Sequence, residues 1–283
     1  MTFERVGVVG AGQMGGGIAE VCARSGVDVV VFDTAEAIVE AGRDRIVRSL
    51  DRGLSAGKIG EEEHRAAIGR LRFTTDLSEL ADRELVIEAV IEDENVKAGI
   101  FAELDRIIAA DAVLASNTSS IPIMKLAAAT RHPERVLGLH FFNPVPVLPL
   151  VELVTSLATG EAAAERTERF ASAVLGKQVV RCADRSGFVV NALLVPYLLS
   201  AVRMVECGVA TVEDVDTAVV AGLSHPMGPL RLSDLIGLDT LKLIADKMFD
   251  EFKEPLYAPP PLLLRMVEAG RLGKKSGRGF YQY

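Results

Sequence analysis

Residues 5–33 read RVGVVGAGQMGGGIAEVCARSGVDVVVFD: a β-branched run, a glycine cluster, an apolar helical pattern and a second valine run ending in an acid. Gly10, Gly12 and Gly15 form G-x-G-x-x-G where the first predicted strand gives way to a helix. In this motif the first glycine permits a tight turn, the second lets a pyrophosphate approach the backbone, and the third allows close packing of helix on strand. The glycines alone are compatible with an ordinary turn, but the strand-turn-helix-strand context predicts a dinucleotide-binding unit.

Asp33 indicates which dinucleotide would bind. It lies about 18 residues after Gly15, close to the spacing of about 20 expected for the acid that bonds the ribose 2′-hydroxyl of NAD. The same carboxylate would repel the 2′-phosphate of NADP, and residues 34–36 contain no arginine to receive that phosphate. We therefore expect NAD, with its pyrophosphate at the helix N-terminus against Gly10, Ala11, Gly12, Gln13, Met14 and Gly15.

Strand and helix signals alternate over the following residues. Strands are predicted at Leu85–Glu88, Ala112–Ser116, Val136–His140, Leu150–Val154 and Gln178–Cys182, and helices at Val96–Ala109 and Ala162–Leu175. This alternation predicts an α/β fold with a Rossmann-type, doubly wound, mostly parallel sheet. Residues 35–70 read as an inserted arm of two charged helices joined by a Gly53–Gly60 loop. Its cations form either a solvated face or a grip on a phosphorylated ligand; they are Arg43, Arg45, Arg48, Arg52 and Lys58.

The pattern changes at about Ala183. The remainder reads as helical throughout, with helices predicted at Phe188–Cys207, Val212–Ala221, Thr240–Phe252 and Leu262–Ala269. We expect two domains: an NAD-binding Rossmann domain at 1–183 and an all-helical domain at 184–283. The cleft between two such domains is the default place for a substrate.

Composition narrows the class of protein. The 283 residues carry a net charge of −8 without a basic run, which argues against nucleic-acid binding. The longest uncharged stretch, Ser186–Val202, contains Pro196 and is shorter than the ~20 apolar residues of a membrane span. Three widely spaced cysteines predict free thiols in a reducing compartment, with no disulfide framework and no metal site. Since the first motif starts by Arg5, leaving no room for a presequence, we expect a cytoplasmic location.

Few residues are placed to do chemistry. His140 follows an apolar strand, at the end where α/β sheets bind ligands. Glu152 lies among apolar neighbours, where a carboxylate needs a partner, so a pair in which Glu152 orients the His140 imidazole would satisfy both groups. Ser116–Ser120 could bind a cofactor or substrate, or cap the next helix. Asn191 needs a partner in the helical core or at the cleft.

The chain resembles the L-3-hydroxyacyl-CoA dehydrogenase family, and within it the short bacterial 3-hydroxybutyryl-CoA dehydrogenases. The resemblance runs the length of the chain in order, and His-Phe-Phe-Asn-Pro is far more specific than the glycine motif. It is carried by Gly10-Ala-Gly-Gln-Met-Gly, Glu88-Ala-Val-Ile-Glu, Ser116-Asn-Thr-Ser-Ser, Leu139-His-Phe-Phe-Asn-Pro-Val-Pro, Gly187-Phe-Val-Val-Asn, His225-Pro-Met-Gly-Pro and Gly273-Lys-Lys-Ser-Gly-Arg-Gly-Phe-Tyr.

The resemblance implies oxidation of (S)-3-hydroxyacyl-CoA to 3-oxoacyl-CoA by NAD, or the reverse reduction, in fatty-acid or butanoate metabolism. It implies that His140 exchanges the substrate proton, that Glu152 holds the imidazole, and that Ser119 and Asn191 bond the substrate oxygens. Further contacts implied on the cofactor side are Glu92, Lys97, Ser119, Asn143 and Lys275. In the arm, where alignment is loose, Ser49 and Lys58 correspond to CoA contacts. A homodimer through the helical domain is also implied.

Some features leave rivals open. Relatives often carry Met-Lys at Leu148-Pro149 and Asn-Arg at Asn191-Ala192, which affects substrate fit. A gulonate-type sugar-acid dehydrogenase and a non-catalytic dinucleotide-binding protein share the expected fold. A hydroxyisobutyrate-type enzyme would need a lysine on the interdomain helix, and residues 187–202 contain none.

Overall fold

The structure is a computed structural model that describes residues 2–283. The chain divides into two compact units, of which the first ends at Arg185 and the second comprises Ser186–Tyr283. Each unit has its own apolar core.

The first unit is built on an eight-stranded sheet in the order β3-β2-β1-β4-β5-β6-β7-β8. Neighbouring strands are parallel except β6 and β7, which are antiparallel. The order of the first six strands is that of a Rossmann fold, which confirms the predicted α/β class. The strands are β1 (Arg5–Val9), β2 (Asp28–Phe32), β3 (Leu71–Thr74), β4 (Leu85–Glu88), β5 (Val113–Ser116), β6 (Val136–Phe141), β7 (Leu150–Thr155) and β8 (Gln178–Ala183).

Helices cover the sheet and form the arm. The arm is confirmed as two helices, α2 (Glu36–Ser55) and α3 (Glu61–Gly69). The segment predicted as one helix at 162–175 is an α-helix followed by a π-helical turn, Phe170–Val174. The other helices of this unit are α1 (Gln13–Arg24), α4 (Glu94–Ile107), α5 (Ile123–Ala128) and α6 (Glu161–Arg169).

Strand β3 was not predicted. It is only four residues long, and exposed Arg72 interrupts its apolar pattern. It is a strand because it pairs in parallel with β2 at the edge of the sheet. Central β4, by contrast, is buried at every position, which is why its apolar run was predicted with its observed bounds.

The second unit is helical, as predicted, and contains α7 (Val190–Glu206), α8 (Val212–Leu223), α9 (Pro229–Ile236), α10 (Leu238–Phe252) and α11 (Pro261–Glu268). The Thr211 hydroxyl caps the N-terminus of α8 by accepting from Asp214 N at 3.1 Å. Helix α9 was missed because it follows a Pro/Gly turn, and Pro229 occupies its first turn, where a missing N–H costs nothing. Among residues 2–283, no helix combines the length and apolar character needed to span a bilayer.

Candidate active site

Several of the predicted residues lie in loops that follow the carboxyl ends of neighbouring strands. In the parallel ladder Val9 is paired with Glu88, Glu88 with Ser116, and Ser116 with Gly138. The segments that follow these positions therefore lie side by side at the carboxyl ends of β1, β4, β5 and β6. A doubly wound sheet binds its ligands at the carboxyl ends of its strands.

The three glycines of the β1–α1 turn meet different surroundings. Gly10 has φ +106°, and a Cβ there would lie 2.6 Å from the Ala89 carbonyl oxygen. A Cβ on Gly15 would lie 1.8 Å from the carbonyl oxygen of Gly10, so α1 packs directly on the turn. A Cβ on Gly12 would meet nothing within 4 Å. The turn thus leaves open space at the N-terminus of α1, where unpaired N–H groups favour an anion, and this fits a pyrophosphate.

Asp33 is fixed at the end of β2. Its carboxylate accepts from the backbone N–H of Ala11 at 2.8 Å and from that of Thr34 at 2.7 Å. A cavity of about 510 Å³ opens beside it, and Gly10 also lines this cavity. Its walls combine the Asp33 carboxylate with apolar side chains of β4–α4 that the sequence did not single out, namely Val90, Ile100 and Ile107. Apolar walls next to an oriented carboxylate suit a purine and its ribose.

His140 and Glu152 are brought together by the sheet. They lie directly opposite each other on antiparallel β6 and β7, the arrangement in which side chains meet across strands. His140 Nδ1 and Glu152 Oε2 are 2.8 Å apart, and the exposed fractions of the two residues are 6% and 0%. The carboxylate therefore fixes the orientation of the buried imidazole.

Glu92 organises the serine-rich loop after β5. Its Oε1 accepts from the Thr118 hydroxyl, from Ser119 N at 3.1 Å and from Ser120 N at 3.2 Å. Burial acts to raise the pKa of Glu92, but the charge of Lys97 and these donors outweigh it and hold the pKa below its ordinary value. The backbone of Ser119 is thereby held close to the carboxyl end of β5.

Lys97 is buried rather than presented to a ligand. Its exposed fraction is 1%, and Nζ donates to Glu88 at 2.6 Å and lies 3.3 Å from Glu92. Glu88 also accepts from the Ser116 hydroxyl at 2.6 Å and from Val90 N at 2.7 Å. Lys97 thus neutralises two glutamates, which in turn hold the backbone of the loops after β4 and β5.

Two residues that shape the site appeared in the sequence only within longer motifs, without the contacts described here being predicted for either. Glu88, fully buried, joins β4, β5 and α4 through the contacts above. Asn117 accepts from Phe141 N at 2.9 Å and so holds the end of β6, next to His140. Each is a polar residue at the end of an apolar strand, which is the signal that could have found them.

A second cavity, of about 340 Å³, lies between the arm and the loop after β6. Ser49 and Asn143 both line it, and Asn143 Oδ1 accepts from Gln13 Nε2 at 3.1 Å. Burial raises the pKa of Glu20 in the same wall, although Ser49, Arg24 and Arg52 act against the shift. Lys58 is exposed on the α2–α3 loop and is not part of this wall.

The remaining predicted residues belong to the second unit. Asn191 is half-buried in the first turn of α7. Lys275 is exposed near the C-terminus, where its Nζ lies 2.6 Å from a carboxylate oxygen of Asp239.

Comparisons with known proteins agree over the length of the chain. A family model described as "3-hydroxyacyl-CoA dehydrogenase, NAD binding domain" matches residues 5–185, and one described as "3-hydroxyacyl-CoA dehydrogenase, C-terminal domain" matches residues 187–283.

The chain is 79% identical over 282 residues to a 3-hydroxybutyryl-CoA dehydrogenase of Mycobacterium tuberculosis, covering 99% of each chain. It is 42% identical to the mitochondrial hydroxyacyl-coenzyme A dehydrogenase of Sus scrofa, over 99% of this chain and 91% of the relative. The solved structure of (S)-3-hydroxybutyryl-CoA dehydrogenase from Ralstonia eutropha is similar, with a TM-score of 0.96 and 41% identity, covering 100% of this chain and 99% of the other.

Proposed function

This chain belongs to the 3-hydroxyacyl-CoA dehydrogenase family, and from that premise we propose that it interconverts (S)-3-hydroxybutyryl-CoA and acetoacetyl-CoA with NAD. The observation that carries the proposal is the buried His140–Glu152 pair. It lies on the side of the sheet formed by the carboxyl ends of the parallel strands, where the open glycine turn also lies. The names of the relatives from M. tuberculosis and R. eutropha support the four-carbon substrate. A general base beside a dinucleotide site is what alcohol oxidation requires.

The residues of the glycine turn and Asp33 hold NAD, which when bound supplies the acceptor or donor of hydride. The open space at Gly12 supports placing the pyrophosphate there. The further cofactor contacts that we propose are Glu92, Ser119, Asn143 and Lys275. For Lys97, the buried ion pairs with Glu88 and Glu92 favour a positioning role in which it aligns the Glu92 carboxylate.

His140 moves the proton. Because Glu152 engages Nδ1, we assign the exchange with the substrate to Nε2: it takes the proton of the 3-hydroxyl during oxidation and returns it during reduction. The imidazole is positively charged after it accepts the proton. Glu152, at 2.8 Å, stabilises that charge and keeps the ring in place.

Other side chains align the substrate. Ser119 and Asn191 bond its oxygens, so that C3 is held in one orientation for hydride transfer. Ser49 bonds the CoA portion, which is supported by its place in the wall of the cavity of about 340 Å³. Lys58, exposed on the α2–α3 loop, contacts the CoA phosphates.

The domains carry separate tasks in this proposal. Residues 1–183 bind NAD, and residues 184–283 supply Asn191, the cofactor contact Lys275 and the surface of a homodimer. Exposed apolar residues of α7, such as Leu193 with an exposed fraction of 72%, support the dimer. The three cysteines of the described chain are free, which supports a cytoplasmic location.

Loss of NADH absorbance with acetoacetyl-CoA tests the proposal, with the keto form of gulonate and free acetoacetate as rival substrates. We expect turnover of acetoacetyl-CoA, a fall in kcat of at least ~10²-fold in His140→Ala, and unchanged NADH binding in that variant. His132→Ala is the matched control, because His132 forms an exposed pair with Glu134 at 3.3 Å. Failure to reduce any 3-oxoacyl-CoA would exclude the proposed reaction, and a fully active His140→Ala would make His140 structural.

A further inference from the structure

Ala11, in the middle of the glycine turn, is held from three sides. Its N–H donates to Asp33, and its carbonyl oxygen accepts from Arg45 Nη1 at 2.8 Å. Its Cβ lies against Gly42 of the arm so closely that a Cβ on Gly42 would come within 2.7 Å of it. Two of these three contacts come from the arm helix α2, so the arm sets the conformation of the turn that faces the cofactor.

Arg45 also faces the second cavity. It is half-buried and lines the cavity together with Ser49 and Arg52. A guanidinium carries five N–H donors, and within residues 2–283 the bond to Ala11 is the only hydrogen bond that the Arg45 side chain forms. Its remaining donors are therefore available to an oxygen of a ligand in the cavity, and the planar fork can serve both partners at once.

We infer that Arg45 is a positioning residue that couples the binding of acyl-CoA in the cavity to the binding of NAD at the glycine turn. The inference rests on the proposed function in one respect, namely that the CoA ester occupies this cavity. Neither the family models nor the names of the relatives assign a role to this residue.

The coupling is positive for a physical reason. A CoA oxygen that accepts from Arg45 restricts the guanidinium to the rotamer that already bonds Ala11, so the turn is held for NAD before it arrives. Bound NAD, in turn, fixes Ala11 and thereby presents Arg45 to the CoA ester. Thermodynamic linkage requires the two effects to be equal in size.

The experiment compares NADH dissociation constants, from fluorescence titration, with and without saturating free CoA, which binds but does not react. Arg45→Met removes the bond to Ala11 while keeping an unbranched side chain. Arg48→Met is the matched control, because Arg48 lies on the same helix, is exposed, and forms an exposed ion pair with Asp44 at 3.9 Å.

We expect CoA to tighten NADH binding to the unaltered protein about fivefold. In Arg45→Met the Kd for NADH should rise about threefold or more and the effect of CoA should disappear. Arg48→Met should stay within about twofold of the unaltered protein in both quantities. An Arg45→Met variant with unchanged Kd and unchanged CoA effect would overturn the inference, as would an unaltered protein whose NADH affinity does not respond to CoA.

A second variant covers a failure of Arg45→Met to fold, which thermal unfolding would reveal. Arg45→Lys keeps the charge but replaces the fork by a point donor, so the CoA effect should fall to less than about half; full retention would contradict the inference. Turnover of acetoacetyl-CoA by the unaltered protein, measured on the same samples, separates a failure of the coupling from a failure of the proposed function.

Discussion

At the residue scale, two glycines of the motif lack a side chain for different reasons. Gly15 is needed by the fold, since a Cβ there would lie 1.8 Å from the Gly10 carbonyl oxygen. At Gly12 a Cβ would touch nothing within 4 Å. Packing within the protein therefore does not require glycine at that position, which supports the pyrophosphate site that we propose there.

The two glycines should consequently respond differently to alanine. Gly12→Ala should unfold at nearly the temperature of the unaltered protein but bind NADH about tenfold or more weakly, because the methyl group enters the space of the pyrophosphate. Gly15→Ala should lose about 1–3 kcal/mol or more of stability, because helix α1 must move away from the turn. Thermal unfolding and NADH titration measure both effects. A Gly12→Ala variant with undiminished NADH affinity would contradict this assignment.

At the element scale, one carboxylate links α4 to the segment that leads into β6. Asp105 of α4 accepts from Arg131 Nε at 2.8 Å and from Arg135 Nη2 at 2.7 Å. Burial acts to raise the pKa of Asp105, but the hydrogen bonds and charges of the two arginines outweigh it and lower the pKa to about 2. These contacts precede the strand that carries His140, so they help to fix its position.

Asp105→Asn should lower the stability at neutral pH by about 2 kcal/mol, since it leaves buried Arg135 without its charged partner. The pKa of Asp105 is lower in the folded than in the unfolded protein, so its contribution is complete above about pH 4 and is lost as the pH falls towards 2. The unfolding free energies of variant and unaltered protein should therefore converge in acid. Exposed Asp111→Asn serves as the control, and a difference that persisted at pH 2 would exclude the ion pair as its cause.

The helices and strands differed in how far their presence and their bounds could be predicted from their own residues. Central β4 could be predicted with its observed bounds, because a strand buried on both faces reads as a continuous apolar run. Edge strand β3 and helix α9 could not. The first owes its state to pairing with β2, and the second begins inside a Pro/Gly segment that is typical of turns.

At the scale of the whole molecule, the second unit presents apolar side chains on two helices. The exposed ones include Leu193 and Met204 of α7 and Val220 and Leu223 of α8. A water-soluble chain seldom leaves so many apolar side chains exposed in one small unit unless another surface covers them. This supports the homodimer that we propose.

Leu193→Glu should accordingly shift the protein from dimer towards monomer, because a carboxylate would be desolvated in the interface. Light scattering coupled to size-exclusion chromatography measures the mass. Leu157→Glu is the control, since Leu157 is fully exposed in the first unit and should leave the mass unchanged. If Leu193→Glu kept the mass of a dimer, the interface would not include this part of α7.

The amino-acid sequence by itself determined the fold class, the NAD-type glycine turn and the need of Glu152 for a partner, because these depend on local periodicity, spacing and the cost of burying a charge. Tertiary structure alone decided that Lys97 is buried between two glutamates, that Asn117 holds the end of β6, and that Arg45 reaches from the arm to Ala11. The contacts of Lys97 with Glu88, of Asn117 with Phe141 and of Arg45 with Ala11 each join residues at least nine positions apart in different segments of the chain. Such a contact exists only once the sheet order has brought those elements side by side, and no local pattern encodes that distance.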